Sequence, residues 1–545
     1  MKELPNVPIF QPTRLNKFLI FVEITYDSMN DVKILWVDDE IDFLKPHILF
    51  LQGKGYDVET CNNGYDAIDL AASKQYDLII LDEMMPGLTG LETLPRIKEI
   101  RPMTPVIMVT KSEEENIMDK AVGSKIADYL IKPVNPNQVL LSIKKNVHSQ
   151  QLVTEQTTAD YRSEFGRISS SFTDARTFAD WVQIYRKLYN WEVDLAESTD
   201  PGVREILSYQ KDEANNEFAK FIRNNYVRWF SDPDENTPVL SHNLLRKKVF
   251  PVVDASRKTT FFLIDNFRYD QWRMIQPVLH NLFEVEKEDF YCSILPTATQ
   301  YARNAIFAGL TPLAIDKIMP NLWLNDNEEG GKNQHEEEFL RRQIQSQGKR
   351  YDLFFDKIIK SDSGKRLIEN IGKVTRADFS VIIYNFLDIL SHARTETQII
   401  RDLAEDEAAF RSLTRSWFEH SDLLILMRLL AEQGHTLIIT SDHGTIQVDH
   451  PVRVQGDRET SSNLRYKTGR NLSFNAKEVF AVTKPELIHL PKSNITSTYI
   501  FAYNRDFFVY PNNTNQFVRY YNKTFQHGGI SMEEMIVPFL VLKPR

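Results

Sequence analysis

The chain has 545 residues, 42% of them hydrophobic and 26% charged, which is too long for one core and ordinary for a soluble globular protein of about three domains. The formal net charge of −10 argues against sequence-independent binding of nucleic acid, because such binding needs a surplus of Lys and Arg along the phosphates. Only two cysteines occur, Cys61 and Cys292, so neither a disulfide framework nor a thiolate metal site is available and the cytoplasm is the simplest compartment.

Residues 1–28 match neither a membrane span nor a signal peptide. The apolar run at 18–22 is far too short to cross a bilayer, and no small-residue cleavage site follows it. Because a strand-like pattern begins directly after Met29, we interpret residues 1–28 as an appendage and Met29 as the start of translation. We expect no membrane span in the chain.

From residue 33, apolar strand-like runs alternate with helix-like stretches, which predicts a doubly wound parallel sheet. The polar residues that follow these runs should meet at one edge of the sheet. The carboxylates among them would form an oxygen pocket suited to Mg²⁺, and Asp82 could attack a phosphoryl donor. The runs and the residues that end them are 33–37 with Asp38 and Asp39, 77–81 with Asp82, 106–109 with Thr110, and 128–131 with Lys132.

This pattern, with the segment 81–87 (LDEMMPG) and the pair Lys132-Pro133, resembles a two-component receiver domain over residues 29–150. The resemblance implies a sensor histidine kinase as partner and Asp82 as the phospho-acceptor. A flavodoxin-like module that cannot be phosphorylated is the alternative, but it would require all of these matches to be accidental. The other implied roles are Mg²⁺ binding by Asp38 and Asp39, phosphoryl contacts from Thr110 and Lys132, and an aromatic switch at Tyr129.

Residues 151–245 change character. Apolar residues recur at helical spacing in 174–190 and 203–230, and a helix-prone stretch runs from 137 to about 167, so we predict a small three-helix bundle. The aromatic stripes could line a ligand pocket, although this spacing is more often that of a core. No recognition helix is evident and the segment is not basic, which disfavours direct DNA binding. We interpret the segment as a spacer that transmits a signal or dimerises.

In the C-terminal half, strand-like runs end in residues that can bind metal ions. The run 436–440 ends in a Ser-Asp-His-Gly turn that taken alone could equally be a polar turn, and Asp388 and His392, four apart, share one face of a helical turn. Three carboxylates, three imidazoles and one hydroxyl suffice for two Zn²⁺ ions, which together stabilise the attacking and leaving oxygens of a phosphoryl transfer. The seven residues are Asp265, Thr299, Asp388, His392, Asp442, His443 and His527.

Thr299 stands at the start of a helix rich in small residues. A hydroxyl at this position faces unpaired backbone N–H groups, which attract a phosphate, and coordination to a dication would make the hydroxyl a nucleophile. The alternative is a simple N-cap, which is the commoner role of such a Thr.

The order of these motifs resembles the alkaline phosphatase superfamily, in its PglZ branch, over residues 246–545. The segments 295–299 and 308–312 are also similar to the nucleophile segment of nucleotide pyrophosphatase/phosphodiesterases. The resemblance implies Thr299 as nucleophile, one zinc held by Asp265, Thr299, Asp442 and His443, and another held by Asp388, His392 and His527. Residues 313–375 are expected to be an inserted cap. Substrate phosphate is assigned to Arg268, Asn463, Arg465, Lys467 and Arg470, with solvated loop charge as the alternative.

The predicted fold class is α/β, with a doubly wound receiver domain, a central helical bundle and an alkaline-phosphatase-like α/β domain. This order resembles PorX-type response regulators, which act in the control of type IX secretion. The resemblance implies a zinc phosphodiesterase for nucleotide or short oligonucleotide phosphodiesters, controlled by phosphorylation of Asp82 and dimeric when phosphorylated. The alternative is a non-catalytic adaptor, switched by phosphorylation, that binds a secretion-machinery component or a sigma factor.

Overall fold

The computed structural model describes most of the chain after residue 31, and the predicted appendage at 1–28 lies outside the described residues. The chain divides into two compact units, Met1–Gln156 and Thr157–Arg545. Within the described part of the chain, no helix combines the length and the apolar character needed to cross a membrane. The described residues are 32–101, 104–111, 126–147, 149–196, 201–326, 328–359, 361–396, 406–457, 460–492, 494, 496–511 and 514–545.

The first unit is built on a five-stranded parallel sheet with the strand order β2-β1-β3-β4-β5. Alternate residues of β1 belong to two apolar cores: Leu35 packs on one face of the sheet and Trp36 on the other, as expected when helices cover both faces. This confirms the predicted doubly wound receiver fold. Its elements are β1 (Lys33–Val37), α1 (Lys45–Gln52), β2 (Asp57–Cys61), α2 (Gly64–Ser73), β3 (Leu78–Asp82), α3 (Gly90–Ile100), β4 (Val106–Thr110), β5 (Asp128–Ile131) and α4 (Pro136–Val147).

The helical segment that follows consists of α5 (Ser149–Asp174), α6 (Phe178–Asp194), α7 (Pro201–Asn225) and the single turn α8 (Arg228–Ser231). Helix α6 begins at Phe178 because Thr177 and Asp180 form a reciprocal capping box. Most aromatic side chains of α6 and α7, such as Trp181 and Phe218, are buried in the same apolar core as the sheet of the C-terminal domain. The helices of the second unit and this sheet therefore share one core.

The C-terminal domain is organised around a six-stranded sheet with the order β7-β18-β10-β6-β9-β8. Strands β10, β6, β9 and β8 are parallel, whereas β18 runs antiparallel to both β10 and β7. Because β10, β6 and β9 are neighbours, the residues that follow these three strands lie side by side. The strands are β6 (Thr259–Ile264), β7 (Phe283–Cys292), β8 (Leu353–Ile358), β9 (Phe379–Tyr384), β10 (Thr436–Thr440) and β18 (Ile536–Pro544).

Smaller sheets and the remaining helices surround this sheet. Two two-stranded sheets and one three-stranded sheet comprise β11 (Ile446–Val448), β12 (His450–Arg453), β13 (Tyr466–Gly469), β14 (Val479–Val482), β15 (Thr498–Ala502), β16 (Asp506–Val509) and β17 (Thr524–Gln526). The helices are α9 (Phe250–Ala255), α10 (Tyr269–Leu279), α11 (Thr299–Ala308), α12 (Pro312–Ile318), α13 (Glu336–Ser346), α14 (Ser361–Glu369), α15 (Ile371–Arg376), α16 (Phe386–Glu396), α17 (Glu407–Glu419), α18 (Asp422–Glu432), α19 (Thr514–Tyr521) and α20 (Met532–Met535).

The segment 313–375 differs from the inserted cap that we expected. It contains β8, which pairs in parallel with β9 over its whole length and so forms an edge of the central sheet. Helix α13, in the same segment, packs against α11. The prediction of a cap is therefore wrong for these elements, since they belong to the sheet and to the helix layer that covers it.

Candidate metal centres

The receiver unit gathers three carboxylates at the carboxyl ends of β1 and β3. Asp38, Asp39 and Asp82 each offer an oxygen atom, and these atoms lie within 4.8 Å of one another. The Lys132 ammonium lies 2.8 Å from Asp38 Oδ2 and 3.1 Å from Asp82 Oδ1. Burial raises the pKa of Asp82 to about 6, and Asp38 adds to the rise while Lys132 opposes it. This arrangement can hold a hard divalent cation beside Asp82.

The two predicted switch residues of the receiver have defined surroundings. The Thr110 hydroxyl donates a hydrogen bond to the carboxylate of Glu83, which is buried. Tyr129 is half-buried and packs against the apolar core of the unit. Sequence reasoning did not single out Glu83, because the position after the phospho-acceptor carries no signal of its own. The contact shows that Thr110 already has a carboxylate partner next to Asp82.

In the C-terminal domain, the ends of β6 and β10 place Asp265, Asp442 and His443 together, fully buried and with candidate ligand atoms within 4.8 Å of one another. His443 Nε2 lies 3.8 Å from Asp265 Oδ1 and 3.9 Å from Asp442 Oδ2. Thr299 Oγ1 lies 3.1 Å from the same nitrogen. The four residues assigned to one zinc by resemblance are thus brought together, and we call them the first cluster.

The second cluster consists of Asp388, His392 and His527, whose candidate ligand atoms also lie within 4.8 Å of one another. Asp388 Oδ1 lies 3.5 Å from His392 Nε2 and 3.7 Å from His527 Nε2. The rings of His443 and His527 stack with their centroids 4.2 Å apart. The first and second clusters are therefore direct neighbours.

The protonation of these groups favours metal binding. Burial lowers the pKa of His527 far below its usual value, and the neighbouring His443 and His392 lower it further, so His527 is neutral and can act as a ligand. The Nδ1 atoms of His443 and His527 lie 3.1 Å and 3.2 Å from the carbonyl oxygens of Gly444 and Thr297. These contacts orient each ring so that Nε2 faces the clusters.

Two oxygen atoms of the clusters are buried, Asp265 Oδ1 and Asp388 Oδ1. Neither accepts a hydrogen bond from any residue that the structure describes. Burial raises the pKa of Asp265 well above its usual value and Asp442 adds to the rise, although Arg303 opposes it. Buried oxygens without partners are costly unless a cation binds them. The donor set therefore fits divalent metal ions, one at each cluster.

Arg303 is a residue of the candidate site that sequence reasoning missed. It lies on α11 one helical turn after Thr299, and its fully buried guanidinium forms ion pairs with Asp265 and, at 2.9 Å, with Asp442. It also donates to Asn385 Oδ1 at 3.3 Å. Arg303 thus holds the two carboxylates of the first cluster in place. The i, i+4 spacing from Thr299 was the available signal, since it places both residues on one face of the helix.

The residues assigned to substrate phosphate are mostly engaged elsewhere. Arg268 is buried and bound to Asp270 and Glu407, at 2.6 and 3.2 Å. Lys467 is also buried, and its ammonium donates to the Ser461 carbonyl at 2.9 Å. The solvated-charge alternative is wrong for both, and their role in phosphate binding stays a prediction. For the others, Arg465 is buried against Glu534, the Asn463 side chain accepts from the backbone N–H of Arg465, and Arg470 is exposed in a bend.

Comparisons with known proteins identify the families that the chain resembles. Three family models match in chain order: a response regulator receiver domain at residues 34–144, a PorX response regulator linker domain at 151–230, and a BREX system PglZ alkaline phosphatase-like domain at 244–542. The transcriptional regulatory protein ResD of Bacillus subtilis (strain 168) is 37% identical over 118 residues, 22% of this chain and 49% of ResD. The chain thus spans about half the length of this curated relative.

Two further relatives match the N-terminal part. The transcriptional regulatory protein SrrA of Staphylococcus aureus (strain NCTC 8325 / PS 47) is 30% identical over 191 residues, which are 34% of this chain and 73% of SrrA. A crystal structure of a CheY-like response regulator receiver domain protein from Methanospirillum hungatei JF-1 shares 28% identity, with a TM-score of 0.22. The match covers 22% of this chain and 96% of the receiver domain chain.

The family matches define a response regulator that carries an alkaline phosphatase-like domain. The fold and the three ligand clusters, one in the receiver and two in the C-terminal domain, are consistent with this class. A receiver domain implies a sensor kinase that phosphorylates it, and both kinds of domain typically use metal ions. The PglZ match covers more than half of the 545 residues, so the chain belongs to the PglZ alkaline phosphatase-like family, in the PorX-type arrangement of receiver, linker and PglZ domain.

Proposed function

We propose that the PglZ domain is a two-zinc phosphodiesterase for nucleotide or short oligonucleotide phosphodiesters, in a cytoplasmic response regulator of the type IX secretion pathway. The observation that carries the proposal is the stacking of His443 on His527 at 4.2 Å, because it joins two ligand clusters beside the Thr299 hydroxyl. The mixture of carboxylate oxygens and imidazole nitrogens suits Zn²⁺ better than Mg²⁺. The secretion pathway is inferred from the PorX-type arrangement alone.

Thr299 is the nucleophile in this proposal. As the first residue of α11, it presents its hydroxyl where the N–H groups of the first turn attract a phosphate. Its oxygen forms the bond to phosphorus as the alcohol leaves, and water then hydrolyses the phosphothreonine and restores the hydroxyl. Asp265, Asp442 and His443 would hold one ion and Asp388, His392 and His527 the other. When bound, the two ions stabilise the attacking and the leaving oxygen.

Hydrolysis of bis(p-nitrophenyl) phosphate by wild-type protein and by Thr299→Ala at equal zinc content tests the proposal. We expect the substitution to lower kcat by about 10³-fold or more, because no other hydroxyl takes over the attack. Thr299→Ser keeps a hydroxyl and should retain most of the activity. Equal rates for wild-type protein and Thr299→Ala would end the mechanism, and a chain that takes up no zinc would end the proposal.

A non-catalytic adaptor is the second candidate, and Arg303 is the observation that favours it. Its guanidinium already pairs with both carboxylates of the first cluster, so the pocket keeps its shape without an ion. In this case phosphorylation alone would control binding to a secretion-machinery component or a sigma factor. The Thr299→Ala assay separates the two candidates, since an adaptor would show no turnover with either protein.

Regulation is assigned to the receiver. Mg²⁺ at Asp38 and Asp39 would assist phosphorylation of Asp82 by the sensor kinase, and the added charge would draw Thr110 and Lys132 toward the phosphoryl group. We propose that the resulting change, transmitted to Tyr129, produces a homodimer. Light scattering with and without beryllofluoride tests this, and an unchanged mass at several protein concentrations would contradict it.

A further inference from the structure

The two loops that carry His443 and His527 are both hydrogen-bonded to the short helix α20. The backbone N–H of Gly444, next to His443, donates to the carbonyl oxygen of Glu534 at 3.2 Å. The N–H of Gly529, two residues after His527, donates to Glu534 Oε1 at 2.8 Å. One residue of α20 therefore binds a loop of the first cluster and a loop of the second.

The side chain of Glu534 is itself fixed. It accepts from the guanidinium of Arg465 at 2.6 Å and from the hydroxyl of Ser531 at 2.7 Å, and all three side chains are fully buried. A Cβ atom at Gly444 would clash with the carbonyl oxygen of Glu533, so the His443 loop packs directly on the backbone of α20. A displacement of α20 would therefore move both histidine-bearing loops.

The helical segment holds the other side of α20. Asn215 of α7 accepts from the backbone N–H of Met532 at 2.8 Å and donates to the Glu533 carboxylate at 3.0 and 3.2 Å. The hydroxyl of Tyr189 in α6 donates to the same carboxylate. Asn215 and Tyr189 are buried, and a hydrogen bond is electrostatically stronger in such surroundings than in water. We call these contacts of Asn215 and Tyr189 the α20 clasp.

We propose that Asn215 and Tyr189 are positioning residues of the metal centres: through α20 they fix the loops of His443 and His527 and so set the affinity for metal. This inference depends on the proposed function in one respect, which is that the two clusters bind zinc. Outer partners of metal ligands typically change metal affinity by about 10- to 100-fold. Because the α20 clasp acts through one more layer of contacts, we expect an effect of about tenfold, at the lower end of that range.

The surroundings of Asn215 make a truncation there informative. Asn215 and Glu533 border a cavity of about 330 Å³ that is also lined by charged side chains such as Lys211 and Glu407. Water from this polar cavity can replace the amide of Asn215 at Glu533 and at the N–H of Met532. Asn215→Ala should therefore fold and lose the rigid connection without leaving these groups unpaired.

Gln210 provides a matched control in the same helix. It is a buried amide like Asn215, and it donates to the Phe165 carbonyl at 3.0 Å and to the Ser169 hydroxyl at 2.8 Å, both in α5. Among the described residues, the partners of its side chain all lie in α5 and none lies in α20. Gln210→Ala should therefore weaken the packing of the helical segment to a similar degree without loosening the α20 clasp.

Competition titration of the full chain against a chromophoric zinc chelator tests the inference. We expect Asn215→Ala to weaken zinc binding about tenfold and Gln210→Ala to leave it unchanged, with similar melting temperatures for the two variants. Tyr189→Phe, which removes one hydroxyl from the α20 clasp, should give a smaller loss and serves as the second variant if Asn215→Ala does not fold. Wild-type affinity in Asn215→Ala, or equal losses in Asn215→Ala and Gln210→Ala, would overturn this inference alone. A wild-type chain without zinc affinity would overturn it together with the proposed function.

Discussion

Two ligand clusters share one arrangement but differ in their donor atoms. They are the receiver cluster of Asp38, Asp39 and Asp82, and the first cluster of the C-terminal domain. Each places two buried aspartates after neighbouring parallel strands, and each pairs them with one cation, Lys132 in the receiver and Arg303 in the C-terminal domain. In the receiver the third donor is the exposed carboxylate of Asp39, whereas in the first cluster it is the buried imidazole of His443. The shared architecture thus leads to two different kinds of site.

The difference suits the two sites to different ions. Three carboxylate oxygens that are partly open to solvent suit Mg²⁺, which keeps several waters and a phosphate ligand. Buried imidazole and carboxylate donors suit Zn²⁺ with few waters. At both sites a basic side chain, Lys132 or Arg303, holds the carboxylates in place. The two sites therefore differ in the type of donor atom and in the exposure of the cluster.

The largest expected effect is at His443. His443→Ala removes the imidazole of the first cluster and the ring that stacks on His527, so phosphodiester hydrolysis should fall by about 10³-fold or more. His420→Ala, at an exposed histidine whose Nδ1 lies 2.8 Å from the Ser416 carbonyl, should leave the rate unchanged. The measurement is kcat/KM on bis(p-nitrophenyl) phosphate together with bound zinc per chain. Unchanged zinc and activity in His443→Ala would show that the first cluster is not a metal site.

Asp82→Asn is expected to abolish phosphorylation of the receiver and to leave zinc binding by the C-terminal domain unchanged. With acetyl phosphate and Mg²⁺, the wild-type chain should gain one phosphoryl group by intact mass, and Asp82→Asn none, because the amide is not a nucleophile. Asp69→Asn, at an exposed position of α2, should behave like the wild type. Zinc content should be the same in all three proteins. Phosphorylation of Asp82→Asn would place the acceptor elsewhere.

The contrast also shows which parts of the sites the sequence reveals. Asp82, Asp265, Asp442 and His443 follow buried apolar runs, and a run that ends in an acidic residue is a local signal, so these positions could be predicted together with the parallel sheets. The residues that support them could not be predicted in this way. Asn215 reaches Glu533 across 318 residues, and no local pattern records such a contact.

Charged residues were misinterpreted for the same reason. Arg268 pairs with Glu407, 139 positions away, so its burial depends on a partner that the local sequence does not show. The charge-rich composition of 313–375 predicts a cap, although β8 in this segment completes the sheet by pairing with β9. Local pattern therefore identified the strand ends, whereas the polar contacts between distant elements required the structure.

A smaller effect is expected at Glu83. Its carboxylate is an acceptor for the Thr110 hydroxyl in the unphosphorylated receiver, so it competes with a phosphoryl group at Asp82 for that donor. Glu83→Leu removes this acceptor and a buried charge, and should raise the fraction of phosphorylated chain several-fold, about 1 kcal/mol. Glu83→Gln keeps an acceptor oxygen and should lie close to the wild type. The fraction is read by intact mass at fixed acetyl phosphate, and equal fractions in the wild type and Glu83→Leu would refute the competition.

The smallest effect compares the buried lysines of the two regions. At Lys132 burial acts to lower the pKa, but Asp38 and Asp82 outweigh it and raise the pKa. At Lys467 burial lowers the pKa to about 8. Above pH 8, Lys467 is therefore neutral in the folded chain and protonated in the unfolded chain. At this group the unfolded state binds more protons, so Lys467 contributes a rise of about 1 kcal/mol in the free energy of unfolding between pH 8 and pH 9. In urea titrations at these two pH values, Lys467→Met should lack this rise and Lys132→Met should retain it. The same rise in Lys467→Met as in the wild type would show that Lys467 stays charged in the fold.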